Sequence, residues 1–292
     1  MKKILIVFSV LIVFSTVSYA QSLYIRVGGG YGLPIGTTSI GEKYQYDQVS
    51  ISNTTSTSSV KNVKASYGAG GNFNFSIGYK FNENIIFDLG IQYLMSNKFQ
   101  TYRINNYTYS SYSSVYSDVI TTSAKAFLFD PSVILTAGFG KGAPYAKFGL
   151  VIGTPTLTKS ESSFDNTDGT SAWEQKWKYN KGIGIGYQGA VGYNWKLSDK
   201  LELFSEVDFV SMTYYAGESN LTKYQRSNDG ITYTDYLSNL NLSQKQTVYK
   251  NSYDPGVFND GTKPTIALKE ATPFSSISVN VGIRFLLWKK KE

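Results

Sequence analysis

The residues best placed to do chemistry are acids. Glu202 and Glu206 stand in a stretch that alternates apolar and polar residues, which puts both on one side of a strand. Two carboxylates on one face can divide the roles of general acid and general base when their surroundings push their pKa values apart. The same face carries Asp208, and other alternating stretches put Arg26, Lys80, Asp88, Lys147, Lys196 and Arg284 on their polar side. With so many cations available, the acids are read as ion-pair partners, because buried charges are tolerated when paired. No residue is assigned a catalytic role, and the chain is expected not to be an enzyme.

Composition removes most other chemistry. The 292 residues contain no His and no Cys. Ser-His-Asp triads, His- or Cys-ligated metals, disulfides and cysteine lipidation are therefore excluded. Gly184-Ile185-Gly186-Tyr187-Gln188-Gly189 fits the GxGxxG pattern, but a dinucleotide site needs a helix after it, and here strand-like alternation runs through it. Asp165-Asn166-Thr167-Asp168-Gly169, Asn228-Asp229-Gly230 and Asn259-Asp260-Gly261 lack calcium-loop spacing and are read as turns. No cofactor or metal is expected, and nothing points to a nucleic acid.

The elements that must position the charges are strands. Helical periodicity is nearly absent, and eight alternating runs recur, spanning 23–33, 72–81, 87–95, 133–139, 146–152, 183–195, 202–209 and 277–285. Three connections are short, at 82–84, 140–143 and 198–200. Four are long, at 34–66, 97–124, 154–180 and 215–273, rich in Ser, Thr, Asn and Tyr. Of these, 215–273 has most room for an extra hairpin, though Lys245, Lys250 and Lys263 argue against a lipid-facing strand there.

The amino terminus reads as an export signal. Met1-Lys2-Lys3, an apolar run from Ile4 to Phe14, and Ser18-Tyr19-Ala20 predict a signal peptide over 1–20, cut between Ala20 and Gln21. Losing Lys2 and Lys3 lowers the net charge from +7 to +5 and leaves residues 21–292 as one domain. No later segment is apolar for the ~20 residues a spanning helix needs.

Three features favour a membrane barrel over a soluble sandwich. Every charge within the runs falls on the polar parity, where a lipid-facing Lys or Arg would cost roughly 2–4 kcal/mol at mid-bilayer. The polar face is also rich in glycine (Gly28, Gly30, Gly78, Gly90, Gly149 and Gly282 among others), which weakens an exposed strand but fits a narrow, side-chain-filled interior. Aromatics, including Tyr79, Phe81, Phe139, Tyr193, Trp195, Phe285 and Trp288, gather at turn-side strand ends like an interfacial girdle. The predicted fold is an eight-stranded antiparallel up-and-down transmembrane β-barrel with long extracellular loops and a porin-like layout.

The segment Asn280-Val281-Gly282-Ile283-Arg284-Phe285-Leu286-Leu287 resembles the terminal-strand insertion signal of bacterial outer-membrane proteins, with Asn280, Gly282, Phe285 and Leu287 as its key positions. It departs from that pattern because Trp288 and Lys289-Lys290-Lys291-Glu292 follow. With the export signal and Gly28-Gly29-Gly30-Tyr31-Gly32, it makes the chain similar to the bacterial outer-membrane β-barrel domain family, especially small Bacteroidota-like barrels. The resemblance implies residence in the outer membrane, contact with its lipid and lipopolysaccharide, and insertion by the barrel-assembly machinery. It implies no catalytic residue. The function expected is a structural or surface-interaction role, with a charged, plugged interior and loops carrying Tyr102, Tyr107, Tyr109, Tyr112 and Tyr116 toward an extracellular ligand or protein partner. A narrow channel for small or hydrophobic solutes is the alternative, and a lipid-modifying enzyme a more distant one.

Overall fold

The computed structural model describes residues 22–137, 142–167, 169–254 and 261–289. The signal-peptide reading, with Ala20 and Gln21, lies outside them, as do Phe139, Asp168, Asn259, Asp260 and Lys290 to Glu292. The chain is all-β. Its strands are β1 (Ser22–Pro34), β2 (Thr38–Ser50), β3 (Thr54–Ala65), β4 (Gly70–Lys80), β5 (Ile85–Ser96), β6 (Phe99–Tyr109), β7 (Ser113–Thr136), β8 (Gly142–Asp165) and β9 (Ser171–Asn180). They continue with β10 (Ile183–Lys196), β11 (Leu201–Tyr215), β12 (Glu218–Ser227), β13 (Thr234–Asp235), β14 (Gln246–Lys250), β15 (Thr265–Leu268), β16 (Ala271–Pro273) and β17 (Ser276–Lys289). All seventeen belong to one mixed sheet.

Eight of them pair in a cycle. β1 pairs with β4, β4 with β5, β5 with β7, β7 with β8, β8 with β10, β10 with β11, β11 with β17, and β17 with β1, every pair antiparallel. These are the eight runs of the sequence pattern, and the short connections at 82–84 and 198–200 join them as expected. The remaining strands extend the sheet beyond this ring, in the order β3, β2, β6, β7, β8, β9, β12, β14, β15.

The expected count of eight strands and the four long loops are therefore corrected. Much of 34–66, 97–124, 154–180 and 215–273 is strand, and the pairs β2–β6 and β14–β15 are parallel, so the sheet is mixed. β7 and β8 run 24 residues each and stay paired up to Tyr116 and Asp165. These stretches carry Thr, Val and Tyr, which suit a pleated surface. They lack apolar alternation because most of their side chains are exposed or half-buried and face no dense core. The additional strands of 215–273 lie outside the eight-strand cycle, and β16 adds three residues beside β11.

Parity decides what each ring strand turns inward. Odd residues of β11 (Leu203, Val207, Phe209) are exposed, and even ones (Phe204, Glu206, Asp208, Val210, Met212, Tyr214) are buried. The same holds around the ring. Phe73, Phe75, Leu89, Ile91, Phe127, Phe129, Phe148, Leu150, Ile185, Tyr187, Val191, Val279, Val281 and Ile283 form an outward apolar belt, with Val279 59% exposed. Among the described residues no helix is long and apolar enough to cross a membrane.

The interior is layered. At the short-turn end, Tyr24, Ile86, Ile134 and Tyr145 pack together. At the opposite end Leu94, Leu128, Val151, Val210, Met212 and Tyr214 join Tyr67 and Phe274 in an apolar plug. The charged layer lies between. Missing side chains make room for large ones: a Cβ on Gly78 would stand 1.9 Å from the Tyr24 ring, and one on Gly28 or Gly282 would stand 2.6 Å from that of Phe204.

Candidate functional site

The charged layer is built by strands far apart in the ring. Arg26 of β1 reaches across to β11 and β8. Its Nη2 donates to Glu206 Oε2 at 2.6 Å and to the Tyr145 hydroxyl at 2.8 Å, and that hydroxyl donates to the same carboxylate oxygen at 2.8 Å. Phe204 lies under the guanidinium, its ring centre 3.6 Å from Cζ, a cation–π contact in a water-poor setting. Arg26 is only 3% exposed and Glu206 5%.

Two further clusters flank this one. Tyr24 donates to Asp88 Oδ1 at 2.9 Å, while the Arg284 guanidinium sits 4.6 Å over the Tyr24 ring. Arg284 also donates to Glu202 and to Asn194, both at 3.0 Å. On the other side, Lys147 pairs with Asp130 at 3.0 Å, and Gln188 donates to the same Asp130 oxygen at 3.1 Å. Asp208 makes no ion pair among the described residues, and its buried Oδ1 has no hydrogen-bond partner. It lines a polar void of about 20 Å³ with Arg26, Lys147, Asp130 and Glu206, space for one water-sized group.

Seven of the nine proposed interior charges thus enter the interior: Arg26, Asp88, Lys147, Glu206, Asp208 and Arg284 are buried, and Glu202 is part-buried. Lys196 stands at the mouth, where it lines one cavity with Lys80, Glu202 and Arg284 without being buried. It lies exposed at the end of β10 and pairs with Asp199 of the adjoining turn at 2.8 Å, because at a strand end its long stem reaches the turn and water more easily than the interior. Lys80, part-buried at the same end, lines a mouth cavity of about 430 Å³ with Glu202 and Arg284. Glu202 and Glu206 share a face but serve different arginines, so the arrangement builds ion pairs and no shared-proton dyad.

The interior also holds groups that alternation alone did not single out. Asp130 precedes Pro131, which cannot donate to the ladder and reads as a strand breaker. In the fold, Asp130 and Pro131 keep their partners on β5, Gly90 and Leu89, while the ladder to β8 is interrupted there. The buried parity from Ala124 through Leu128 to Ser132 was the available signal. Tyr24, Tyr145 and Phe204 share the inward parity, and the fold sets each opposite a glycine, Gly78, Gly192 and Gly282.

Of the insertion-signal residues, Asn280 is buried and Gly282 abuts Phe204, whereas Phe285 and Leu287 face outward. Among the acidic motifs, Asn228-Asp229-Gly230 forms a turn. Asp229 accepts from the backbone amides of Ile231 and Thr232 at 2.8 and 2.6 Å, and Gly230 takes a positive φ of 73°. Those bonds, with the Ser227 hydroxyl foremost, hold the Asp229 carboxyl well below the usual carboxylate range. No cluster of three potential acidic metal ligands occurs among the described residues. No protein-family model matches the chain, and no curated protein matches it.

Proposed function

We propose that the chain is an outer-membrane β-barrel protein whose eight ring strands cross the bilayer and whose extended strands stand outside the cell. In this reading it works by shape and surface contact, with a sealed interior. The apolar belt carries the proposal. A soluble monomer seldom exposes an apolar patch beyond a few hundred Å², and here every ring strand turns a row of apolar residues outward while the buried arginines and acids face inward. Phe127 to Leu135 of β7 matches the ~9–11 residues a tilted spanning strand uses. Lys125 stands exposed just above, where headgroups would meet it.

The interior supports a closed barrel over a channel. A solute would have to displace the packed Leu128, Met212 and Phe274 and then break buried ion pairs. The polar extension, with Tyr102, Tyr107, Tyr109, Tyr112 and Tyr116 among serines and asparagines, suits contact with lipopolysaccharide or a partner. Membership of the outer-membrane barrel family and insertion by the assembly machinery belong to the same proposal.

The cysteine-free sequence gives a direct test. Single cysteines at Thr57 and at Leu150 are exposed to a membrane-impermeant maleimide on intact cells. Labelling at 57 but not at 150, and no steady current from the purified protein in planar bilayers, is the expected result. Equal labelling at both positions, or recovery of the folded protein in the soluble fraction, would overturn the reading.

A further inference from the structure

Above the apolar plug lies a further cavity, of about 260 Å³, lined by residues from the ring and from the extension. Four tyrosines from four elements line it: Tyr67 between β3 and β4, Tyr179 of β9, Tyr214 of β11 and Tyr249 of β14. Its floor is closed, because Tyr67 and Tyr214 are themselves part of the plug, each packed against Phe274 with ring centres 5.7 and 5.8 Å apart. What enters can be held there but does not pass through. The space is several times the ~30 Å³ a water molecule occupies in the liquid.

The lining has a sign. Lys159 is the one cation among the residues that form the wall, and Glu161 holds its ammonium in an ion pair. Glu270 is exposed at the rim and has no ion-pair partner among the described residues. Tyrosine ring faces add the negative potential of their quadrupoles. Tyr179 and Tyr249 stack with centres 6.2 Å apart, and Tyr249 is tied to the Ser219 hydroxyl at 3.0 Å. Burial first, and the charge of Glu270 further down, keep both phenols protonated, with pKa values raised above the ordinary range.

We infer that this vestibule is a binding site for a small organic cation, an amine or quaternary ammonium, received by the four tyrosines with Glu270 as counter-charge. Aromatic walls with an acidic rim suit such groups because a weakly hydrated cation loses little on leaving water and gains from every ring face. An anion would meet Glu270 and find Lys159 already paired.

Choline and its uncharged carbon isostere 3,3-dimethylbutan-1-ol are titrated calorimetrically into the full detergent-solubilised chain. Choline is expected to bind at sub-millimolar to millimolar concentration, the isostere about tenfold more weakly. Glu270→Gln, a surface change that leaves the fold intact, weakens choline about fivefold and leaves the isostere unchanged. Tyr179→Leu weakens both. Absence of choline binding, or an isostere that binds as tightly as choline, overturns the inference. The assay needs no membrane, so its failure is distinct from a failure of the surface-labelling test.

Discussion

Replacing Arg26 and Glu206 singly and together gives the sharpest test of what the charged layer does. Glu206→Leu leaves a guanidinium that is 3% exposed without its ion-pair partner, held by the Tyr145 hydroxyl and the Phe204 ring. Stranding one member of a buried pair costs roughly 3–5 kcal/mol, and Arg26→Met strands the carboxylate for a similar loss. If the two acted independently, the double variant would lose about 6–10 kcal/mol. It should lose far less, because neither ion then has to be kept from water. What remains is the Tyr145 hydroxyl without its acceptor, about 1–3 kcal/mol, and the lost contact with Phe204, up to about 2 kcal/mol. The coupling between the sites should therefore be about 5 kcal/mol at the middle of these ranges. Reversible urea unfolding in detergent micelles measures it, followed by tryptophan emission and by the mobility difference between unheated and boiled protein in electrophoresis. Single variants that cost under about 1 kcal/mol, or a double variant that loses the full sum, would refute the claim that the pair is desolvated and mutually dependent.

Other consequences are as direct. Leu150→Lys, in the middle of the belt, should cost about 2–4 kcal/mol in lipid vesicles, whereas Lys125→Leu should change stability by under about 0.5 kcal/mol; equal effects would remove the belt's special status. Gly78→Val places a side chain against the Tyr24 ring and should cost roughly 1–3 kcal/mol or more by overpacking, while Gly71→Ala, with nothing within 4 Å of its Cβ, should be nearly neutral by the same unfolding measurement. Met212→Ala combined with Tyr214→Ala thins the apolar plug, and any current in planar bilayers should arise in that variant and not in the native protein; current in both would place the seal elsewhere. The Asp229 turn should be acid-labile. Its carboxyl titrates lower in the folded chain than in the unfolded one, so its stabilising contribution is complete above the ordinary aspartate range and is lost as pH falls toward the folded value. Protection of the Ile231 and Thr232 amides, measured as exchange relative to the intrinsic rate at each pH, should fall on that descent, and Asp229→Asn should flatten the dependence.

The period-two pattern determined a great deal on its own. Where a strand turns an apolar row to one side and a crowded polar interior to the other, every residue must choose, and the choice is written in the sequence. That is why Arg26, Asp88, Glu206 and Arg284 could be assigned inward and Leu150 and Val279 outward, and why the turns at 82–84 and 198–200 were legible. Outside the belt neither face makes that demand, so β2, β3, β6, β9 and β12 carry no alternation and read as loops. Only tertiary structure decided that they are strands, through backbone pairing that any Ser, Thr or Asn can join. Partner choice was likewise beyond the sequence. Nothing local says that Arg26 meets Glu206 across the ring, that Lys147 takes Asp130 beside a proline, or that Lys196 reaches its own turn. Those contacts follow from the stagger and circumference of the ring, and the same closure gathers Tyr67, Tyr179, Tyr214 and Tyr249 around one cavity from positions up to 182 residues apart, 67 to 249.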